Sequence, residues 1–285
     1  MKTNCELPIC MLDKNNELND LDFVLFHLIK TNPTYRQWVY DQRRLHPDRI
    51  MILDNSAYEF FVKGETLDLD EYVELVNDLQ PDYYILPDVL RDRKKTIEGT
   101  KKFLLNYTIE PKNVFDPQPM AVVQGNTDRE LTQCMFDYVE MGIPNVCIPF
   151  HIEFFKNMGS NICEDIRDHY RHVYYDLAEV NVNEDLEYSM GRVQWVKNHA
   201  AMLSVFKYIH FLGSHCPLEK YFFEKLDNKN VSMDTGYPVK LAIEGIRLYD
   251  ETHKPNTIID DFLEKDLDDD IKKLIETNIK IFKDT

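Results

Sequence analysis

Four side chains capable of chemistry each close a short apolar run. Asp54 ends Ile50-Met-Ile-Leu-Asp54, Asp88 ends Tyr83-Tyr-Ile-Leu-Pro-Asp88, Gln124 ends Met120-Ala-Val-Val-Gln124, and Asp234 ends Val231-Ser-Met-Asp234 ahead of Thr-Gly-Tyr-Pro238. Two carboxylates that share a pocket can divide the work of a displacement. One stabilises or attacks a cationic carbon, and the other holds and returns a proton. Their surroundings must drive their pKa values apart for that division to hold. The same residues also suit turns and helix caps, so spacing alone leaves both readings open.

The elements that would carry these groups alternate between short apolar strands and amphipathic helices. Strands are expected at 6–12, 23–29, 50–54, 83–88, 119–125, 145–151, 208–215 and 231–234. Helices are expected at 34–44, 68–79, 91–105, 127–141, 189–204 and 217–226. Asp68 is placed to cap the second of these, with Leu69, Tyr72, Val73, Val76 and Leu79 on one face, and Pro81 beyond its end. Thr127 and Glu130 have capping-box spacing, and Gly142 suits the C-terminal cap of that helix. An amphipathic helix is expected to close the chain over 258–285, its apolar face running through Leu263, Leu267, Ile271, Leu274, Ile275 and Ile279, with the acidic run Asp266–Asp270 at a solvated helix start. Alternation of strand and helix argues for a parallel sheet. Carboxylates at strand ends argue for an α/β architecture, a (β/α)8 TIM barrel whose chemistry sits at one rim. The polar stretch 152–190 breaks the rhythm and is expected to be an insertion near the barrel mouth within a single domain, 1–285.

Composition excludes several classes. The chain has 285 residues and 44% hydrophobic residues, enough for a large core and too many for a disordered chain. No apolar run approaches the roughly 20 residues of a membrane span. No signal-peptide core follows Met1–Glu6, so a soluble, cytoplasmic protein without membrane contact is expected. Six cysteines lie far apart without a CxxC pair; free thiols are expected, and neither a metal nor a cofactor. His151, His210 and His215 offer no tight ligand pair in sequence. The net charge of −17 disfavours general nucleic-acid binding, so a nucleic-acid partner would need a local basic groove.

Taken in order, the strand ends resemble the motifs of the tRNA-guanine transglycosylase superfamily. The matching residues are Asp54-Asn-Ser-Ala-Tyr58-Glu59, Asp88, Val123-Gln124-Gly125-Asn126, Phe211-Leu-Gly213-Ser and Met233-Asp234-Thr-Gly-Tyr-Pro238-Val-Lys240. The likeness spans roughly residues 6–245. It is nearest the phage branch that inserts 7-deazaguanine bases into DNA, through His210-Phe-Leu-Gly and Ser232-Met-Asp-Thr. The resemblance implies a pentosyltransferase that replaces guanine in DNA with a free 7-deazaguanine base, acting in the host cytoplasm if phage-encoded. Asp234 would be the nucleophile and Asp54 the general acid/base. Asp88 and Gln124 would read the base edge, Tyr58 would stack on it, Gly213 would let backbone approach the pocket, and Gly125 would belong to the substrate-binding set. His151 would contact base or sugar. Lys240, Arg192 and Lys197 would contact phosphates. The insertion, with Arg167, His169, Arg171 and His172, would handle the nucleic acid.

Several positions depart from the family pattern. The Cys-x-Cys-x-x-Cys zinc module is absent, which favours DNA over tRNA. Asn126 replaces a glycine, Glu59 a glutamine and Lys240 an arginine, and Ile148-Pro-Phe-His151 stands where a Gly-Gly-Leu loop is expected. A homologue acting on tRNA, or a catalytically silent barrel serving as a partner subunit, are the alternatives. Oligomeric state is left open.

Overall fold

The computed structural model describes residues 1–112, 116–158, 162, 164–173, 184–226, 230–248 and 263–285. Eight strands run parallel in the order β1-β8-β7-β6-β5-β4-β3-β2, with helices between them, and form a nearly closed (β/α)8 barrel. The strands are β1 (Lys2–Cys5), β2 (Asp22–Leu25), β3 (Met51–Asp54), β4 (Tyr83–Ile85), β5 (Gln118–Val122), β6 (Asn145–Pro149), β7 (Tyr208–Leu212) and β8 (Val231–Thr235). Among the described residues no helix is long and apolar enough to cross a membrane. The five described cysteines are free.

The chain packs as two compact units. One comprises Leu21–Pro149; the other comprises Met1–Asp20 with Phe150–Thr285.

In the first unit, β2 to β6 are short and mostly buried, as expected of strands covered on both faces. Tyr72, on the helix Leu69–Leu79, donates from its hydroxyl to the carbonyl of Ile85 at 2.8 Å and so pins that helix to β4. The helix begins where expected: the Asp68 carboxylate accepts from the amides of Asp70 and Glu71. Tyr72, Leu75, Val76 and Leu79 form its buried face. The helix Asp128–Glu140 begins at Thr127, whose hydroxyl accepts from the Glu130 amide. The Glu130 carboxylate reaches back one residue further than a standard capping box, to the Asn126 amide.

The second unit holds β1, β8 and β7. β1 pairs with β8, with Asn4 opposite Asp234, and β7 pairs with β8, with His210 opposite Ser232. The helices Glu153–Met158, Glu164–Val173 and Glu184–Asn198 occupy the stretch expected as an insertion. The first and last of these pack backbone to backbone at Gly191, where a Cβ would lie 1.8 Å from the Phe155 carbonyl oxygen. Only glycine fits there.

Several element boundaries differ from the sequence expectation: β4, β5 and β6 end earlier, the helix expected at 189–204 is Glu184–Asn198 followed by Ala200–Leu203, and four further differences have a local reason. The first strand is Lys2–Cys5, not 6–12, and Ile9–Lys14 is a 3₁₀ turn. Asn19 ends the strand by accepting from the Cys5 amide and donating to the Cys5 carbonyl, and Pro8 has no amide to continue a ladder. The apolar run 23–29 divides into β2 and the helix Phe26–Thr31, because an unbroken apolar run carries no period that distinguishes the two. β7 stops at Leu212 because Gly213 has a φ of +57°. The last helix spans Asp269–Asp284, capped by Asp268 within the acidic run; residues 258–262 of the expected helix lie outside the described residues.

Gly191→Ala should lower stability by at least about 3 kcal/mol in urea denaturation, the upper range for overpacking, because the obstacle is backbone rather than a movable side chain.

Candidate functional site

Asp234 lies near the C-terminal end of β8 and is 4% exposed. Alternation along the strand puts Ser232 and Asp234 on one face. His210, opposite Ser232 on β7, joins them: its Nδ1 lies 2.7 Å from the Ser232 hydroxyl and its Nε2 lies 3.0 Å from Asp234 Oδ1. The Gly213 amide donates to the same oxygen at 3.1 Å. Both contacts fall on Oδ1 and orient the carboxylate. His210 and Ser232 are fully buried.

The Gly213 amide can point at Asp234 because the residue occupies the left-handed region, which a side chain would strain. The corner is held from behind by Arg192, on the helix Glu184–Asn198. Its guanidinium donates to the carbonyls of Leu212 and Gly213 at 2.9 and 3.0 Å and lies 4.8 Å from the centre of the Phe150 ring. A bidentate pair with Glu219, at 2.8 and 2.5 Å, balances its charge, and both side chains are 0% exposed. The Ser214 hydroxyl also donates to Glu219. The expectation that Arg192 contacts phosphate is therefore corrected: its guanidinium is buried and committed to the β7 corner. Lys197 pairs with Asp165 at the surface.

The Leu21–Pro149 unit assembles a second polar group. Asp54 ends β3, and its Oδ2 accepts from the Ser56 amide at 2.7 Å. Asn55 donates to the Leu86 carbonyl and to Asp88 Oδ1, and Gln124 donates to Asp88 Oδ2 at 2.7 Å. The Gln124 amide oxygen accepts from the Arg91 backbone at 2.9 Å. Asp88 and Gln124 are thus brought together and bonded to each other, with Asn55 as a third member. Burial pushes the Asp88 carboxyl above the usual carboxylate range, and the hydrogen bonds from Asn55 and Gln124 oppose that shift in part. Gly125 is buried against the first turn of the helix Asp128–Glu140. Tyr58, in the helix Ala57–Lys63, is 49% exposed, so a face of the phenol is open to a planar ligand.

His151 is exposed in the turn after β6 and lies edge-on to Phe150, Tyr188 and His215. Lys240 is buried in the helix Tyr237–Ile243 that follows Asp234. Of the insertion's basic residues, His169 stacks on Tyr221, with ring centres 3.9 Å apart. The side chains of Arg167, Arg171 and His172 lie outside the described residues.

Sequence reading quoted His210 and Ser232 in its motifs but gave them no role beside Asp234, and it gave none to Asn55 or Asp185. The first two carried a signal, since Ser232 and Asp234 are two apart on a strand and share a face. Asn55 carried a weaker one, beside Asp54. Asp185 carried none, because its partners His151 and His215 come from distant strand ends.

No family model matches the chain, and no curated protein matches it.

Two measurements test these arrangements. Glu219→Ala should cost about 3–5 kcal/mol in urea denaturation, since it leaves a buried guanidinium uncompensated. The double substitution Arg192→Met with Glu219→Leu should cost less than that single change, because it buries no lone charge. For Asp88, the folded state binds the proton more tightly than the unfolded chain. The resulting stabilisation is fully present below the unfolded value of about 3.9 and is lost as pH rises through the raised folded pKa. Wild type should therefore gain stability relative to Asp88→Asn as pH is lowered from about 7 toward 4; a difference that is flat or moves the other way contradicts the assignment.

Proposed function

We propose that this chain is a base-exchange transglycosylase that replaces guanine in DNA with a 7-deazaguanine through a covalent intermediate on Asp234. The reading belongs with the tRNA-guanine transglycosylase superfamily, which the strand-end motifs resemble. The observation that carries it is the state of Asp234, a buried strand-end carboxylate with one oxygen held by the Gly213 amide and His210. An oriented carboxylate of this kind can attack the electron-poor C1′ of a nucleoside, as in retaining glycosyl transfer.

In the first displacement, Asp234 Oδ2 forms a bond to C1′ as the C1′–N9 bond breaks. The bonding pair leaves with guanine, which takes a proton from Asp54. In the second, the incoming 7-deazaguanine returns a proton to Asp54 and attacks C1′, and the aspartyl ester bond breaks. His210 acts as a positioning residue: it holds the Asp234 carboxylate and is itself oriented by Ser232. Asp88 and Gln124, with Asn55, supply the polar edge that would read the base. A half-exposed Tyr58 suits stacking, worth about 1–3 kcal/mol per base. Gly213 would allow close backbone approach and His151 would contact sugar; Gly125 is packed against the helix Asp128–Glu140 and Lys240 is buried, so neither is given a contact to substrate. Duplex DNA would have to present the target base flipped out of the stack.

The test is release of labelled guanine from DNA, and separately from tRNA, in the presence of 7-cyano-7-deazaguanine. Release from DNA should be abolished by Asp234→Ala. It should be slowed roughly 100-fold in kcat, with little change in KM, by His210→Gln, as expected when a reacting group is misplaced by about 1 Å. Release from tRNA alone would transfer the substrate and keep the mechanism. No release from either by folded protein would leave the partner-subunit reading in its place.

A further inference from the structure

We propose that His151, Asp185 and His215 bind one divalent transition-metal ion of the zinc class. The three residues belong to the same compact unit, and the inference rests on their geometry, although His151 is shared with the transglycosylase reading. One ligand atom from each residue lies within 4.8 Å of the others. His215 Nδ1 and Asp185 Oδ2 are 3.0 Å apart. Two neighbouring ligands on a tetrahedral zinc ion, each bonded at 2.0–2.1 Å, sit about 3.3 Å apart. The pair therefore stands at ligand spacing, and His151 must close by up to about 1.5 Å to complete the set. It can do so because it is exposed in a turn, outside any helix or strand.

The surroundings fix the other two ligands. His215 packs on two aromatic rings, stacked on Phe150 at 4.8 Å and near-parallel to Tyr237 at 5.8 Å. Its imidazole plane is set before any ion arrives, which lowers the ordering cost of binding. Asp185 projects from the first turn of the helix Glu184–Asn198 and is 2% exposed. A buried carboxylate is stabilised by a cation or a metal. Two imidazoles and one carboxylate form a nitrogen–oxygen donor set that suits zinc and neighbouring first-row ions. Three protein ligands leave at least one coordination position open, the pattern of a reactive rather than a purely structural site. The open side faces solvent at His151.

The experiment uses the full chain, stripped with chelator and dialysed. Zinc is added in a calorimetric titration, and cobalt(II) is followed by absorption. The expected result is one ion per chain. Affinity should fall at least about 100-fold in His215→Gln and in Asp185→Asn, the upper end of what loss of even an outer-shell partner costs. His151→Ala removes an exposed ligand and leaves the core intact, so its circular dichroism should match wild type while its affinity falls. Cobalt should give visible bands without the near-ultraviolet charge-transfer absorption of a thiolate. Absence of zinc binding overturns the proposal. So does zinc affinity that differs by less than about tenfold between wild type and all three variants, and so does a thiolate charge-transfer band, which would put the ion on cysteine.

Discussion

The geometry around Asp234 depends on one buried ion pair. Arg192 and Glu219 carry full charges with no solvent exposure, and their bidentate contact makes the burial tolerable. An apolar pair of similar volume could fill the same space at comparable or better stability. It could not donate to the carbonyls of Leu212 and Gly213. Those bonds hold the end of β7 in the left-handed turn that aims the Gly213 amide at Asp234. The charge pair is thus a means of shaping backbone, and the cost of desolvating it is offset by the fixed position of a reactive carboxylate.

The Leu21–Pro149 unit applies a related device to Asp88. Here the holding groups are neutral amides, Asn55 and Gln124, each reaching from a neighbouring strand end. Neutral donors stabilise a carboxylate less than a guanidinium does, so burial prevails and the Asp88 carboxyl is pushed toward its protonated form. Asp234 and Asp88 look alike in sequence, each an aspartate after an apolar run. Their surroundings differ in kind: one carboxylate is held by a backbone amide and an imidazole, the other by two side-chain amides.

Strand ends are economical places for such groups. A short parallel strand buries both faces, and the next residues leave the sheet with their amides unpaired. Ser56 and Gly213 stand at positive φ just past a strand end, and Arg91 does so in the loop after β4; the amides of all three are taken up by side chains: Asp54 for Ser56, Asp234 for Gly213 and Gln124 for Arg91. The segments after β6 and β7 likewise bring His151 and His215 to within 4.8 Å of Asp185, which stands on the helix Glu184–Asn198.

The barrel itself was legible in the chain, because alternation of apolar strands with capped amphipathic helices is a local property. Asp68 and Thr127 announced their helices, and Asp54 and Asp234 stood at the strand ends where they were expected. Boundaries failed where a local pattern met a distant partner: Asn19 stopped the first strand, and an apolar run at 23–29 held no period to divide it. The side-chain partners belonged to tertiary structure alone. Nothing local marks Arg192 as buried rather than phosphate-facing, since its fate depends on Glu219, in the helix after β7, and on the β7 corner. Nor does any local pattern join Asp185 to two histidines on different loops. Periodicity is written along the chain, and so the sequence by itself determines the elements; pairing of charges and ligands requires segments far apart in sequence to meet, and only the folded structure decides it.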